Sequence, residues 1–81
     1  MAEPVRSPRM AGTLVRKARL AQGLTQKQLA DRMNVRQATI SKLESGEPAT
    51  RMALLFDALA SLGLELAVTT RGGKSGFEDM F

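Results

Sequence analysis

Four residue types are missing from this 81-residue sequence: cysteine, histidine, tryptophan and tyrosine. Their absence removes the thiolate and imidazole ligands of ordinary zinc sites, the thiol nucleophile, and the side chain that most often shuttles protons near neutral pH. Serine and threonine are plentiful, but nothing is present to complete a catalytic pair with them. The few carboxylates also fall on different segments without a recognisable spacing. Neither an enzyme nor a bound cofactor or metal is expected.

Without cysteine there is no disulfide framework of the kind secreted mini-domains use. Residues 1–12 are polar and interrupted by Pro4 and Pro8, so they lack the apolar stretch of an export signal, and a cytoplasmic location is expected. No apolar run approaches the roughly 20 residues that span a bilayer. The longest, residues 52–56, stops at Asp57. A chain this short buries only about 60% of its unfolded surface, which leaves room for one small domain and its tails.

What is present in excess is positive charge, with 12 Lys and Arg against 8 Asp and Glu and a net charge of +4. That balance suits a polyanionic partner, although by itself it identifies none.

Along the chain, residues 1–11 show no apolar period and are expected to form a flexible arm. Residues 13–21 predict a first helix with Leu14, Val15, Ala18 and Leu20 on one face and Arg16, Lys17 and Arg19 on the rest, stopped by Gly23. Thr25-Gln26-Lys27-Gln28 fits a capping box, in which the threonine hydroxyl accepts from the amide three residues on while the glutamine reaches back. A second helix to about Met33 follows. Asn34 tolerates a left-handed backbone better than any residue but glycine, so a sharp turn is expected there.

A third helix is predicted from about Arg36 to Glu44, closed by Ser45 and Gly46. After Pro48, Thr50 is the expected N-cap of a fourth, over residues 51–62 and closed by Gly63. Its apolar residues, from Met52 through Phe56 and then Ala58, Leu59 and Leu62, form an arc wider than one helix buries against one neighbour. Part of it is expected to meet another chain. Residues 64–70 alternate with period two and read as a strand without a partner in its own chain, since residues 3–9 contain two prolines. Pairing with a second copy satisfies its backbone, which predicts a homodimer with Leu55, Phe56, Leu59, Leu64, Leu66 and Val68 at the interface. Residues 71–81 read as a flexible tail ending in the aromatic and acidic tip Phe77-Glu78-Asp79-Met80-Phe81.

Two short helices packed around a fixed turn need apolar residues facing inward and a small residue where they touch. Leu29, Ala30, Met33, Val35, Ile40 and Leu43 fill those places, with Asn34 at the turn. Residues 19–46, RLAQGLTQKQLADRMNVRQATISKLESG, resemble the lambda-repressor-like, or xenobiotic-response-element, family of DNA-binding domains. The resemblance implies an all-α bundle of four helices containing a helix-turn-helix over residues 12–63, here followed by the dimerisation strand. The family usually has glycine where this chain has Asn34, a departure asparagine absorbs at modest cost.

The resemblance also implies an ion pair between Arg19 and Glu44, and it places Arg36, Gln37, Ala38 and Ser41 toward base edges. Their chemistry fits. Arginine forks onto guanine, glutamine onto adenine, and an alanine methyl packs on the thymine methyl, each good bidentate contact giving about 1–3 kcal/mol of discrimination. Gln26, at the start of the second helix, suits a phosphate, as do Thr25, Lys27, Thr39, Lys42 and Ser45.

Beyond the motif, RQATISKLESG and LASLGLEL resemble the small HipB-like antitoxins of bacterial toxin–antitoxin operons. That resemblance implies a homodimeric repressor of its own operon, bound to a palindromic double-stranded operator and holding a HipA-like kinase toxin. From composition alone, two aromatics on a flexible leash make the Phe77 to Phe81 tip a candidate docking element for that toxin. A stand-alone or phage-type regulator remains the alternative. An adaptor that uses the fold without reading DNA is disfavoured by the polar residues Arg36, Gln37 and Ser41, where an interaction helix would show apolar anchors.

Overall fold

The structure is a computed structural model that describes residues 3–71. In it four helices follow one another: α1 (Pro8–Ala21), α2 (Gln26–Met33), α3 (Gln37–Glu44) and α4 (Met52–Ser61). α3 packs against both α1 and α2, and α2 also packs against α4. Val15, Leu29, Ala30, Ile40, Leu43, Ala58, Leu59 and Leu62 form the buried core between them.

α1 begins five residues before the expected Thr13, so the arm predicted over residues 1–11 is shorter than its sequence suggested. Ser7 caps the helix by accepting from the Met10 N–H at 3.1 Å, and Pro8 takes the first helical position. There its missing N–H costs nothing and its fixed φ suits the helix, so the proline starts the helix rather than breaking it. The buried face of α1 carries Gly12, Val15 and Arg19, while Leu20 is 54% exposed. Arg19 and Leu20 thus exchange the places their polarity predicts, because an ion pair described below takes the arginine inward.

Gly12 decides how closely α1 approaches α3. A Cβ on it would lie 2.5 Å from the Leu43 carbonyl oxygen and 2.7 Å from that of Glu44. Any side chain there would push two backbones apart. Gly46, at φ +81, meets the start of α1 in the same way, since a Cβ would lie 2.5 Å from the Arg9 Cα.

All four described helices end alike, with a left-handed residue (Gly23, Asn34, Gly46 or Gly63) after which the next N–H reaches back five residues. At the α2–α3 corner this is Asn34, φ 57 and ψ 44, with Val35 N–H bonded to the Ala30 carbonyl at 3.0 Å. Asparagine supplies the left-handed turn expected of it. Two boundaries differ from expectation. Arg36 and Arg51 occupy the cap positions of α3 and α4 with extended backbones and no side-chain cap bond, so Thr50 is not the N-cap of α4.

α4 divides its wide apolar arc between two environments. Leu59 is 2% exposed and belongs to the chain's own core, so it has no surface to give a partner, contrary to its assignment to a dimer interface. Leu55 is half-buried against that core. Met52 at 71% and Phe56 at 46% face outward. Residues 64–70 carry no regular structure in the single chain, with Leu64, Leu66 and Val68 exposed. The Phe77 to Phe81 tip lies outside the described residues. No described helix is long and apolar enough to cross a membrane.

Candidate nucleic-acid interface

α3 has two unlike faces. Ile40, Leu43 and Glu44 are buried, whereas Gln37, Ala38 and Ser41 are exposed. Positions 37, 38 and 41 are one, three and four residues apart, which gathers them on one side of the first turn and a half. Arg36 sits exposed at the cap, and among the described residues no carboxylate lies within ion-pair distance of it. Its guanidinium is thus available to a ligand. The four residues expected at base edges are brought together on one exposed surface, and the helix carrying them is fixed from behind.

The start of α2 is fixed by side chains. Thr25 Oγ1 accepts from the Gln28 N–H at 3.0 Å, and Gln28 Oε1 accepts from the Thr25 N–H at 2.8 Å, completing the capping box. Gln26, the first helical residue, donates from Nε2 to Glu44 Oε1 at 3.2 Å. Lys27 meets Asp31 at 3.3 Å, but both side chains are about two-thirds or more exposed (72% and 67%). Such a pair contributes at most a fraction of a kcal/mol and yields readily to a phosphate. Of the other phosphate candidates, Lys42 is exposed and Thr39 half-buried, while Ser45 Oγ donates to the Lys42 carbonyl at 2.7 Å.

Arg19 and Glu44 form the buried pair that the resemblance implied. Arg19 Nε reaches Glu44 Oε2 at 2.6 Å and Nη2 reaches Oε1 at 2.9 Å, with the two side chains only 7% and 3% exposed. Nη1 also donates to the Leu24 carbonyl at 2.7 Å, which pins the α1–α2 loop. The hydrogen bonding that the guanidinium donates to the Glu44 carboxylate outweighs the burial cost and raises the arginine pKa above its ordinary value. Because it is raised, the contribution of this charge is complete below the unfolded value and is lost only as pH climbs through the folded one, far into the alkaline range.

Three stabilising contacts were not anticipated: the Gly12 approach, the Gln26–Glu44 bond, and Gln22 Nε2 donating to the Leu62 carbonyl at 2.7 Å, which joins the ends of α1 and α4. Only Gly12 left a trace in the sequence, as an isolated glycine at the edge of a helical pattern.

The family model described as helix-turn-helix matches residues 15–68, about two-thirds of the chain. The chain belongs to the helix-turn-helix family. Among solved structures, the fold is similar to HipB in the HipB–O4 20-mer complex, with a TM-score of 0.80 and 28% identity over 86% of this chain and 99% of that one. It is equally similar to a chain of the HipA–HipB–O2–O3 complex, at 0.80 and 28% over 86% and 99%. A chain of the HipB–O1–O2 complex gives 0.79 and 29% over 85% and 100%. No curated protein matches the sequence. The likeness to HipB read from two short segments therefore extends over nearly the whole fold, and the matched span contains Arg19, Gln26, Glu44 and the exposed face of α3.

Proposed function

We propose that this protein is a cytoplasmic, sequence-specific DNA-binding repressor that acts as a homodimer on a palindromic operator and serves as the antitoxin of a HipBA-like operon. The observation that carries the reading is the two-faced α3, with Ile40, Leu43 and Glu44 locked into the core and Arg36, Gln37, Ala38 and Ser41 presented together outside. Such a helix fits the major groove, where these side chains match base edges. Gln26, Thr25, Lys27, Thr39, Lys42 and Ser45 are the candidates for the phosphates on either side. No catalytic step belongs to this reading.

Dimerisation is supported by the large apolar residues left in water along α4 and the segment after it: Phe56, Leu64, Leu66 and Val68, with Met52 in place of the buried Leu59. Pairing of residues 64–70 between two copies would satisfy a backbone that has no strand partner in one chain. Support for the toxin comes from the HipA–HipB–O2–O3 complex, one of whose chains has this fold.

The DNA reading is tested by replacing Arg36 or Gln37 with Ala and, separately, Lys27 with Ala. The first two variants are expected to relax preference at one position of each half-site. The Lys27 variant should weaken all sequences alike and lower the salt slope by about one. The reverse pattern would reassign their roles. Co-purification with the kinase-like product of a neighbouring gene tests the toxin, and failure of the two to associate would leave a repressor without that partner.

A further inference from the structure

Glu44 closes α3 and is 9% exposed, yet its carboxylate receives three N–H donors from two other helices. Arg19 supplies two of them and satisfies the charge by itself. The third, from Gln26 Nε2 to Oε1 at 3.2 Å, is not needed to balance the carboxylate. Its consequence falls on the glutamine instead. A free glutamine at a helix start samples many rotamers, and freezing them on binding weakens the complex. Here the amide is held before any ligand arrives, at the first turn of α2, where the backbone N–H groups are oriented toward an anion.

An amide nitrogen carries two N–H groups, and Glu44 occupies one. The other remains for a phosphate oxygen. An isolated carboxylate so close to a phosphate would repel it, but the guanidinium clamped on the same carboxylate cancels that charge. We infer that Glu44 is a positioning residue for DNA binding, holding the Gln26 amide ready for a backbone phosphate while Arg19 neutralises it. This rests on the DNA-binding reading and adds to it a link from the end of the recognition helix to the phosphate contact of α2.

A double-mutant cycle on the full chain tests the link, using Gln26→Ala, Glu44→Gln and the double variant. Each is first checked for folding by circular dichroism, then titrated with a duplex recovered by selection from random DNA. Gln26→Ala should weaken binding about three- to tenfold, with the salt slope unchanged because a neutral amide releases no counterion. Glu44→Gln should weaken binding by a similar factor when Gln26 is present and by less than about twofold when Ala replaces it. Equal losses in both backgrounds overturn the inference while leaving the DNA reading intact. A wild-type chain that binds no DNA removes both. Should Glu44→Gln unfold the protein, NMR of the wild-type Gln26 side chain decides. One amide proton is expected to be displaced and to exchange slowly in the free protein, and signals like those of exposed Gln37 would overturn the assignment.

Discussion

The two outward-facing regions of this small fold are built on opposite principles. Along the starts of α2 and α3, the exposed side chains other than Ala38 are polar and the elements beneath them are braced by hydrogen bonds within the chain: the Thr25–Gln28 box, Gln26 donating to Glu44, and Arg19 donating to Glu44. On the α4 side, Met52, Phe56, Leu64, Leu66 and Val68 stand in water. Met52 also lines a groove of ≈ 270 Å³ together with Val5, Pro8, Leu43 and Leu55, among others. One region is complete as a single chain, its polar side chains satisfied by the chain itself or by water. The other leaves large apolar side chains in water, and such surface lowers its free energy only when something covers it. The proposed function uses both: a rigid edge to meet DNA and an unsatisfied face to form the pair.

The comparison breaks most severely at its brace. Arg19→Ala leaves Glu44 buried without its counter-charge, and removing one partner of a buried pair typically costs about 3–5 kcal/mol. Denaturant unfolding should register a loss of that size, a large part of the stability of so small a domain. A loss under about 1 kcal/mol would mean that Glu44 reaches solvent.

On the unfinished side the expected effect is on association. Val68→Asp or Leu66→Asp should shift the chain from dimer to monomer in sedimentation, with a dimer Kd raised about thirtyfold or more, as for a buried interface anchor. Helical content should be retained, because both residues lie outside the core. A variant that stays dimeric would place the interface elsewhere on the apolar side.

The smallest effect belongs to the corner. Asn34→Gly relieves a left-handed asparagine and should stabilise the fold by less than about 1 kcal/mol, whereas Asn34→Val should destabilise it by more than that. Equal melting temperatures for both variants would show that the corner is not held in the left-handed region.

Much of the local structure of α2, α3 and the corner between them was legible because its signals are local. The Thr25–Gln28 spacing, the asparagine at the corner and the polar residues between Ile40 and Leu43 each carry their meaning within a turn or two. What was missed depended on distant partners. Pro8 looked like a breaker because its role as a first helical residue shows only with Ser7 as the cap. Helical periodicity alone puts Arg19 on the polar side, and only the family resemblance paired it with the carboxylate 25 positions away that draws it in; Leu20 was placed inward by its hydrophobicity and is exposed. Leu59 was offered to a partner because one helix cannot reveal which part of a wide apolar arc its own chain covers. Gly12 acquires its purpose only from the α3 carbonyls that approach it.

The most direct test of the central claim, that the outward face of α3 reads sequence as one half of a symmetric pair, is selection of binding sites from random duplex DNA at physiological salt. The account predicts enrichment of a palindrome whose half-sites lie one helical turn apart, about 34–36 Å. Recovery of no preferred sequence, or of a single asymmetric site bound by one chain, would contradict it.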